Sequence, residues 1–200
     1  MRRSEWGVFV KVIMLIVVTG NGKGKTTSAL GQALRVVGEG GKAVMYQFIK
    51  GPWISGEDKI VPILDRALKH PHLPDEALAK AGFEIIKGGK GFVGILGDPY
   101  PRSVHIKAAE ATWIQATQAI ESKKYQLVVL DELNVALKLK LLKLAPVYNF
   151  LKKNRARFNI MVTGREAHTR LINLADLVSE VKEVKHPFNK GIGARKGVEY

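Results

Sequence analysis

The segment at residues 19–27, Thr-Gly-Asn-Gly-Lys-Gly-Lys-Thr-Thr, carries the clearest chemical signal in the sequence. Glycine has no Cβ, so a glycine-rich backbone can curl and turn its N–H groups toward a phosphate. Lys25 is spaced to reach terminal phosphates, and the Thr26 hydroxyl is spaced to bind Mg²⁺. We therefore predict a phosphate-binding loop. Its residues are Gly20, Asn21, Gly22, Lys23, Gly24, Lys25, Thr26 and Thr27.

The spacing of this loop departs from the usual pattern at one position. That pattern has a glycine five residues before Gly24, where this chain has Thr19, and Gly20 comes one residue late. A flexible turn with solvated lysines is the alternative interpretation. The apolar run at residues 12–18 and the helical pattern after the loop favour phosphate binding, because they supply the strand and the helix dipole that such a loop uses.

Two carboxylates follow a second apolar segment. Residues 127–130 are Leu-Val-Val-Leu, and Asp131 and Glu132 come directly after them. Mg²⁺ prefers oxygen ligands and commonly takes one or two carboxylates together with phosphate oxygens. Acids at the start of a helix also stabilise its dipole, which is the alternative interpretation. Combined with the loop, the acidic pair predicts a metal site formed by Thr26, Asp131 and Glu132.

The composition excludes several classes of protein. The 200 residues contain no cysteine, which rules out disulfides, cysteine-ligated zinc and a cysteine nucleophile. The net charge of +14 comes from dispersed lysines and arginines, so it favours anionic ligands such as ATP over specific nucleic-acid binding. The apolar run at residues 8–18 is too short to span a bilayer and leads straight into the loop. We therefore expect a cytoplasmic protein with no membrane partner.

The histidines show no metal-site pattern. His70 and His72 are the closest pair, but Pro71 between them prevents a shared helix face. We interpret all five histidines as ordinary polar residues. They are His70, His72, His105, His168 and His186.

Strand and helix patterns alternate along the chain. Such alternation predicts an α/β fold in which helices cover both faces of a mostly parallel sheet. With the phosphate loop, this is a P-loop NTPase-like fold of RecA type, and the length suits a single domain over residues 1–200. We predict strands at residues 10–18, 43–49, 83–86, 127–130, 158–163 and 177–184. We predict helices at residues 25–37, 103–122, 133–144, 146–153 and 166–174.

The region at residues 51–101 differs in amino-acid composition from the rest of the chain. It holds six of the eight prolines and a cluster of glycines, with only one short predicted strand. A compact domain seldom keeps so much irregular chain unless that chain has a function. We predict that this region lines a ligand site. The alternative is a surface insertion.

The features so far predict a protein that binds Mg²⁺ and a nucleotide, but they do not say which bond breaks. An ordered series of further motifs resembles the corrinoid adenosyltransferase family of P-loop type. The resemblance covers the chain from about residue 19 to its C-terminus. The motifs are Gly-Asn-Gly-Lys-Gly-Lys-Thr-Thr at 20–27, Arg-Val-Val-Gly at 35–38, Gln-Phe-Ile-Lys-Gly at 47–51, Val-Val-Leu-Asp-Glu-Leu at 128–133, Thr-Gly-Arg at 163–165, Leu-Ala-Asp-Leu-Val-Ser-Glu at 174–180, Val-Lys-His-Pro-Phe at 184–188 and Gly-Val-Glu-Tyr at 197–200.

The resemblance implies an enzyme that transfers the 5′-deoxyadenosyl group of ATP to the cobalt of a reduced corrinoid and releases triphosphate. The reduced cobalt is then the nucleophile, so no protein nucleophile is needed. A homodimer and an electron-donating reductase as partner are also implied. The residues implied are Lys25, Thr26 and Glu132 for catalysis, Lys23, Arg35 and Arg165 with the loop for phosphate, and Thr26, Glu132 and Asp131 for Mg²⁺.

The corrinoid side of the resemblance is incomplete. The family has an aromatic pair that crowds one face of the cobalt, and Phe92 matches the first of the two. The second falls on Gly94, which has no side chain, so either another residue such as Tyr100 or Ile95 takes that place or the corrinoid step differs. Trp113 matches a further aromatic of the family and is the second predicted corrinoid-binding residue, although a core tryptophan is the alternative.

Two other functions are compatible with the nucleotide motifs. One is a P-loop ATPase or phosphotransferase in which Glu132 acts as the base. The other is a nucleotide-dependent nucleic-acid-binding module, which only the +14 charge supports. The ordered series of motifs favours the adenosyltransferase.

Overall fold

A computed structural model describes residues 13–68, 80–95 and 97–198. The strands are β1 (Leu15–Thr19), β2 (Lys42–Gln47), β3 (Gly82–Lys87), β4 (Leu127–Asp131), β5 (Ile160–Thr163) and β6 (Leu177–Glu180). The helices are α1 (Lys25–Gly38), α2 (Gly56–Leu68), α3 (Arg102–Glu121), α4 (Leu133–Lys138), α5 (Leu144–Asn154) and α6 (Thr169–Leu174), followed by a 3-10 helix at Pro187–Lys190.

The six strands form one sheet in the order β3-β2-β4-β5-β1-β6, and every pair is parallel. This confirms the predicted α/β class and is consistent with a P-loop NTPase-like fold. Because all strands point the same way, their carboxyl ends meet at one edge of the sheet. That edge carries Thr19, Gln47, Asp131 and Thr163.

Alternating side chains along the strands create a core on each face of the sheet. On one face, Val17 and Val44 pack with residues of α3, α4, α5 and α6. On the other, Val18 and Met45 pack with α1 and with Leu68 of α2. A strand buried on both sides reads as a continuous apolar run, as β1 and β4 do. The two cores fix the carboxyl edge of the sheet relative to the helices that begin there.

Most predicted elements are confirmed, with shifted ends. The first strand begins at Leu15, and residues 10–12 of the predicted span lie outside the described residues. The helix predicted at 133–144 ends at Lys138, because the chain turns at Lys140, whose φ is 54°. The helix predicted at 166–174 begins at Thr169, where the His168 ring accepts a hydrogen bond from the Arg170 N–H at 3.1 Å.

Helix α2 was not predicted, because Pro62 lies inside it. Proline removes a helical N–H and normally breaks a helix interior. Here Ser55 and Asp58 cap the start of the helix, with the Asp58 carboxylate accepting from the Ser55 N–H at 2.7 Å and from its hydroxyl at 2.9 Å. Leu68 also packs into the core. Capping and packing outweigh the helix-breaking proline, so residues 56–68 form a helix that the composition did not indicate.

No helix within residues 13–68, 80–95 and 97–198 combines the length and apolar character needed to cross a bilayer. The prediction of a single domain over residues 1–200 stays a prediction.

Candidate functional site

The predicted phosphate loop connects β1 to α1 at the carboxyl edge of the sheet. Gly20 and Gly24 adopt φ values of 97° and 116°, which residues with a Cβ rarely adopt. A Cβ on Gly24 would meet no atom within 4 Å, so glycine is needed there for its backbone conformation alone. Helix α1 begins at Lys25, and its amino end faces the loop.

Gly20 and Gly22 also permit a close contact with the segment after β6. A Cβ on Gly20 would lie 2.4 Å from the Val181 carbonyl oxygen, and one on Gly22 would lie 2.6 Å from that of Lys182. The Gly22 N–H donates to the Val181 carbonyl at 2.8 Å. The sequence suggested only that these glycines let the backbone curl. The structure adds that they dock the loop against the C-terminal part of the chain.

Thr19, the residue that departs from the usual spacing, has a structural role. Its side chain is nearly buried, and its hydroxyl accepts a hydrogen bond from the Ala167 N–H at 3.0 Å. This bond joins the end of β1 to the segment that follows β5. The departure therefore strengthens the loop's attachment to the fold.

Lys25 points into the loop. Only 6% of the residue is exposed, and its ammonium donates to the Gly22 carbonyl at 2.6 Å. Burial lowers the pKa of the ammonium, while the negative charge of Glu132 acts in the opposite direction. A loop that fixes an ammonium group in this way is prepared to hold an anion.

Asp131 lies at the centre of the carboxyl edge and is fully buried. Its carboxylate accepts from the Thr26 hydroxyl at 2.9 Å, from the Thr163 hydroxyl at 2.6 Å and from the Gln47 amide at 3.3 Å. Burial raises the pKa of Asp131, and the two threonine hydrogen bonds oppose that rise. The site thus joins the phosphate loop directly to the acidic pair, as the sequence predicted.

Glu132 lies beside Asp131 in a strained backbone conformation. Its φ is 61°, in the left-handed region, and its N–H donates to the Thr163 hydroxyl at 3.0 Å. Burial, and then the charge of Asp131, raise the pKa of Glu132 to about 7. A Cβ on Gly164 would lie only 3.0 Å from a Glu132 carboxylate oxygen. The surroundings of Glu132 therefore make the ionised form of its carboxyl group unfavourable.

The loop at residues 22–27 and Glu132 border a cavity of about 540 Å³. One part of its wall is polar and mostly cationic, and the other is apolar. The polar lining comes from the loop at residues 22–27 with Lys50, Glu57, Glu132, Arg165 and His186, and the apolar lining from Leu30, Leu34, Ile60, Phe83 and Val198. A cavity with a cationic part and an apolar part suits a ligand that is anionic at one end only.

The remaining predicted nucleotide residues fall into two groups. Arg165 lines the cavity and lies close enough to Lys25 to act on its pKa. Arg35 is exposed in the last turn of α1 and is not part of the cavity wall. Asn21 is also exposed, and it borders a shallower depression shared with Arg165. The structure therefore brings Arg165 into the site and leaves Arg35 at the far end of the helix.

The two predicted corrinoid residues have different surroundings. Phe92 is 49% exposed, and its ring lies 6.0 Å from that of Trp53. Trp113 is partly buried, packs on the core and meets Phe150 edge-on at 5.4 Å. Gly94 has open space around the position of a Cβ. The roles of Phe92 and Trp113 stay predictions.

His70 and His72 lie outside the described residues, and the surroundings of His105 are more specific than the sequence indicated. This residue is 3% exposed, and its Nε2 lies 2.9 Å from the Asp98 carboxylate. The sequence gave no sign of the pair, since a seven-residue separation spans both a loop and the start of α3. Gln47 and Thr163 were also missed as partners of Asp131. Their positions at the ends of β2 and β5 were the signal that pointed to them.

Comparison with known proteins gives a consistent result. The sequence model of the family described as "ATP:corrinoid adenosyltransferase BtuR/CobO/CobP" matches residues 11–200. A corrinoid adenosyltransferase of Pseudomonas aeruginosa is 38% identical over 99% of this chain and 86% of its own length. The corrinoid adenosyltransferase of Escherichia coli strain K12 is 36% identical over 94% of this chain and 85% of its own. One from a Sinorhizobium species is 35% identical, with 94% and 80% covered.

Proposed function

The chain belongs to the ATP:corrinoid adenosyltransferase family, and we propose that the site at the carboxyl edge of its sheet performs that family's reaction. The activity is ATP-dependent transfer of an adenosyl group to a corrinoid. The bond that breaks joins the ribose C5′ to the triphosphate, and the bond that forms joins C5′ to cobalt. The reduced cobalt of the substrate supplies the electron pair of the new bond, and the electron pair of the broken C5′–O bond leaves with the triphosphate.

In this proposal, the phosphate loop holds the triphosphate. Lys25 is buried with its ammonium fixed at the Gly22 carbonyl, which supports its assignment as the main phosphate ligand. Arg165 and Lys50 line the same cavity and add positive charge. Negative charge builds on the departing phosphate oxygen during the reaction. Cations placed in advance around that oxygen stabilise the transition state more than the ground state.

The residues present fit a Mg²⁺ ion. The buried Asp131 carboxylate with the Thr26 hydroxyl at 2.9 Å, and the Glu132 carboxyl group beside it, offer the hard oxygen donors that Mg²⁺ prefers. A nearby cation would also relieve the unfavourable charge of Glu132. When bound, Mg²⁺ would supply charge neutralisation at the phosphates. Thr26, Asp131 and Glu132 are the residues that we assign to it.

The protein itself needs no nucleophile and no strong base, because the corrinoid substrate brings the reactive metal. The chain's contribution is to hold C5′ and the corrinoid in line and to exclude competing attack on the phosphates. The apolar part of the cavity, with Leu30, Leu34 and Ile60, supports a position for the uncharged part of the nucleotide. The homodimer, the electron-donating reductase and the cytoplasmic location stay predictions.

The observation that carries the proposal is the family match over residues 11–200 together with the Thr26–Asp131 hydrogen bond that completes the phosphate site. The test is incubation with ATP, Mg²⁺ and a chemically reduced corrinoid. We expect triphosphate and a light-sensitive alkylcobalt spectrum. ADP and inorganic phosphate as the products would contradict the proposal and favour an ATPase or phosphotransferase.

A further inference from the structure

The exposed apolar surface is concentrated in the region predicted to line a ligand site. Of the fourteen large apolar side chains that the described residues expose, seven lie between residues 53 and 100. Trp53 is 62% exposed and Phe92 is 49% exposed, and their ring centroids are 6.0 Å apart with 38° between the planes. We call these two residues the aromatic pair. Large exposed aromatic rings commonly mark a binding surface.

The Trp53 ring is held in its exposed position by the backbone beneath it. A Cβ on Gly91 would lie 2.5 Å from the Trp53 ring, so only glycine lets the indole rest against this loop. Gly91 also has a φ of 107°, which glycine tolerates and other residues rarely adopt. The Trp53 backbone is held as well, because the Lys87 ammonium donates to the Trp53 carbonyl and to the Asp58 carboxylate, each at 2.5 Å. The indole therefore rests on Gly91 while most of the residue stays exposed to solvent.

The loop that carries Phe92 is fixed as well. The Asp98 carboxylate accepts from the Gly94 N–H at 2.7 Å and from the Tyr100 N–H at 3.0 Å, and it pairs with His105 of α3 at 2.9 Å. The side chains of Asp98 and His105 are 5% and 2% exposed. A buried His–Asp pair with further hydrogen bonds resists rearrangement. The loop is thus anchored to the first turns of α3.

The aromatic pair belongs to chain segments that adjoin the nucleotide cavity. Lys50 and Gly56 line that cavity, and Trp53 lies midway between them in the sequence. The two segments touch through their backbones, since the Gly91 N–H donates to the Ile49 carbonyl at 2.9 Å. An adenosyltransferase must bring a large flat macrocycle up to the nucleotide. The aromatic pair offers apolar ring faces at the border of the site where that macrocycle has to arrive.

We propose that Trp53 is a corrinoid-binding residue of this enzyme, forming with Phe92 a two-ring surface on which the corrinoid macrocycle rests. This inference rests on the proposed function, because it names the surface that presents the second substrate. Trp53 thereby supplies a second aromatic ring beside Phe92. The contact is apolar and involves no proton or electron transfer by the indole.

The test compares Trp53→Ala with Trp53→Phe. For each variant, KM for the reduced corrinoid, KM for ATP and the Kd for cob(II)alamin are measured, the last by an anaerobic spectroscopic titration. We expect Trp53→Ala to raise the corrinoid KM and the cob(II)alamin Kd about tenfold, because an aromatic contact surface is lost. KM for ATP should stay within about twofold of the wild-type value. Trp53→Phe keeps a ring and should restore most of the affinity.

The matched control is Ile114→Ala, which removes another exposed apolar side chain, on α3 and 55% exposed. This variant should leave all three constants unchanged. An unchanged corrinoid KM and Kd in Trp53→Ala would overturn the inference, as would equal losses for ATP and corrinoid. The titration separates this failure from that of the proposed function. A wild-type protein that binds cob(II)alamin but forms no alkylcobalt product would refute the function, and the effect of Trp53 on the Kd would still be measured.

Discussion

The two halves of the site are built in different ways. On the phosphate side, Asp131 is fully buried and tied to Thr26, Thr163 and Gln47. On the other side, Trp53 is 62% exposed and Phe92 is 49% exposed. The Trp53 ring rests on Gly91, and the Asp98–His105 pair anchors the loop that carries Phe92. A small, highly charged group is bound by polar atoms fixed in advance, whereas a large apolar ring system needs an open surface. Under the proposed function, each half therefore matches the chemistry of one substrate.

The largest effect is expected on the phosphate side, from Lys25→Ala. Removal of this buried ammonium takes away charge that stabilises the departing phosphate oxygen, so turnover should fall roughly a hundredfold or more. The measurement is the rate of alkylcobalt formation at saturating corrinoid. Lys124→Ala is the control, because Lys124 is exposed and paired with Glu84. A near wild-type rate in Lys25→Ala would remove the main support for the assigned phosphate site.

On the corrinoid side, Phe92→Ala should separate the two substrates. We expect the corrinoid KM to rise about tenfold, because half of the aromatic pair is lost, while KM for ATP changes little. Steady-state kinetics with each substrate varied in turn gives both constants. An effect confined to ATP would contradict the division of the site into two halves. Val184→Ala, which changes an 86% exposed apolar residue, is the control.

The rigidity of the phosphate loop is tested by a pair of glycine substitutions. Gly22→Ala places a Cβ 2.6 Å from the Lys182 carbonyl oxygen and should lower the free energy of unfolding by about 1–3 kcal/mol. Gly31→Ala lies inside α1 with no atom near the new Cβ, and should raise it by about 0.5–1 kcal/mol. Denaturant unfolding measures both. Equal effects at the two positions would show that the loop does not depend on its contact with residues 181 and 182.

The remaining prediction concerns the pH dependence of stability. Because the folded-state pKa of Glu132 is about 7, above its unfolded value, folding disfavours the ionised form. Stability without ligands should therefore decrease as pH rises from about 4.5 to 7. Glu132→Gln should remove this contribution, on the order of 3 kcal/mol, and flatten the curve. Thermal unfolding across that pH range is the measurement, and an identical slope in both proteins would contradict the pKa assignment.

The parts of the site that could be predicted from the sequence are those with local patterns. The loop at residues 20–27 and the acids at 131 and 132 follow directly after apolar strands, and parallel strands bring such ends together. Thr26 and Asp131, which the sequence assigned to one site, are joined by a hydrogen bond of 2.9 Å. The α/β class and most elements could be predicted as well, because strand and helix patterns alternate along the chain and each pattern is local. Local sequence patterns are sufficient to predict the parts of the fold in which strands and helices alternate regularly.

The parts that could not be predicted depend on contacts between segments far apart in the sequence. Helix α2 contains a proline that its Ser55–Asp58 cap and core packing overcome. Trp53 and Phe92 are 39 residues apart, and nothing in either segment indicates that Gly91 is the support between them. The buried His105 pairs across a glycine-rich loop whose path the sequence does not determine. Tertiary packing decides each of these cases.

The docking of Gly20 and Gly22 onto Val181 and Lys182 has a consequence for biosynthesis. The ribosome makes the phosphate loop about 160 residues before it makes the surface against which the loop rests. In a nascent chain, the loop therefore cannot reach its docked conformation until residues 181 and 182 have been made. Premature termination before residue 181 would leave a product whose loop sequence is intact and whose loop has nothing to rest on.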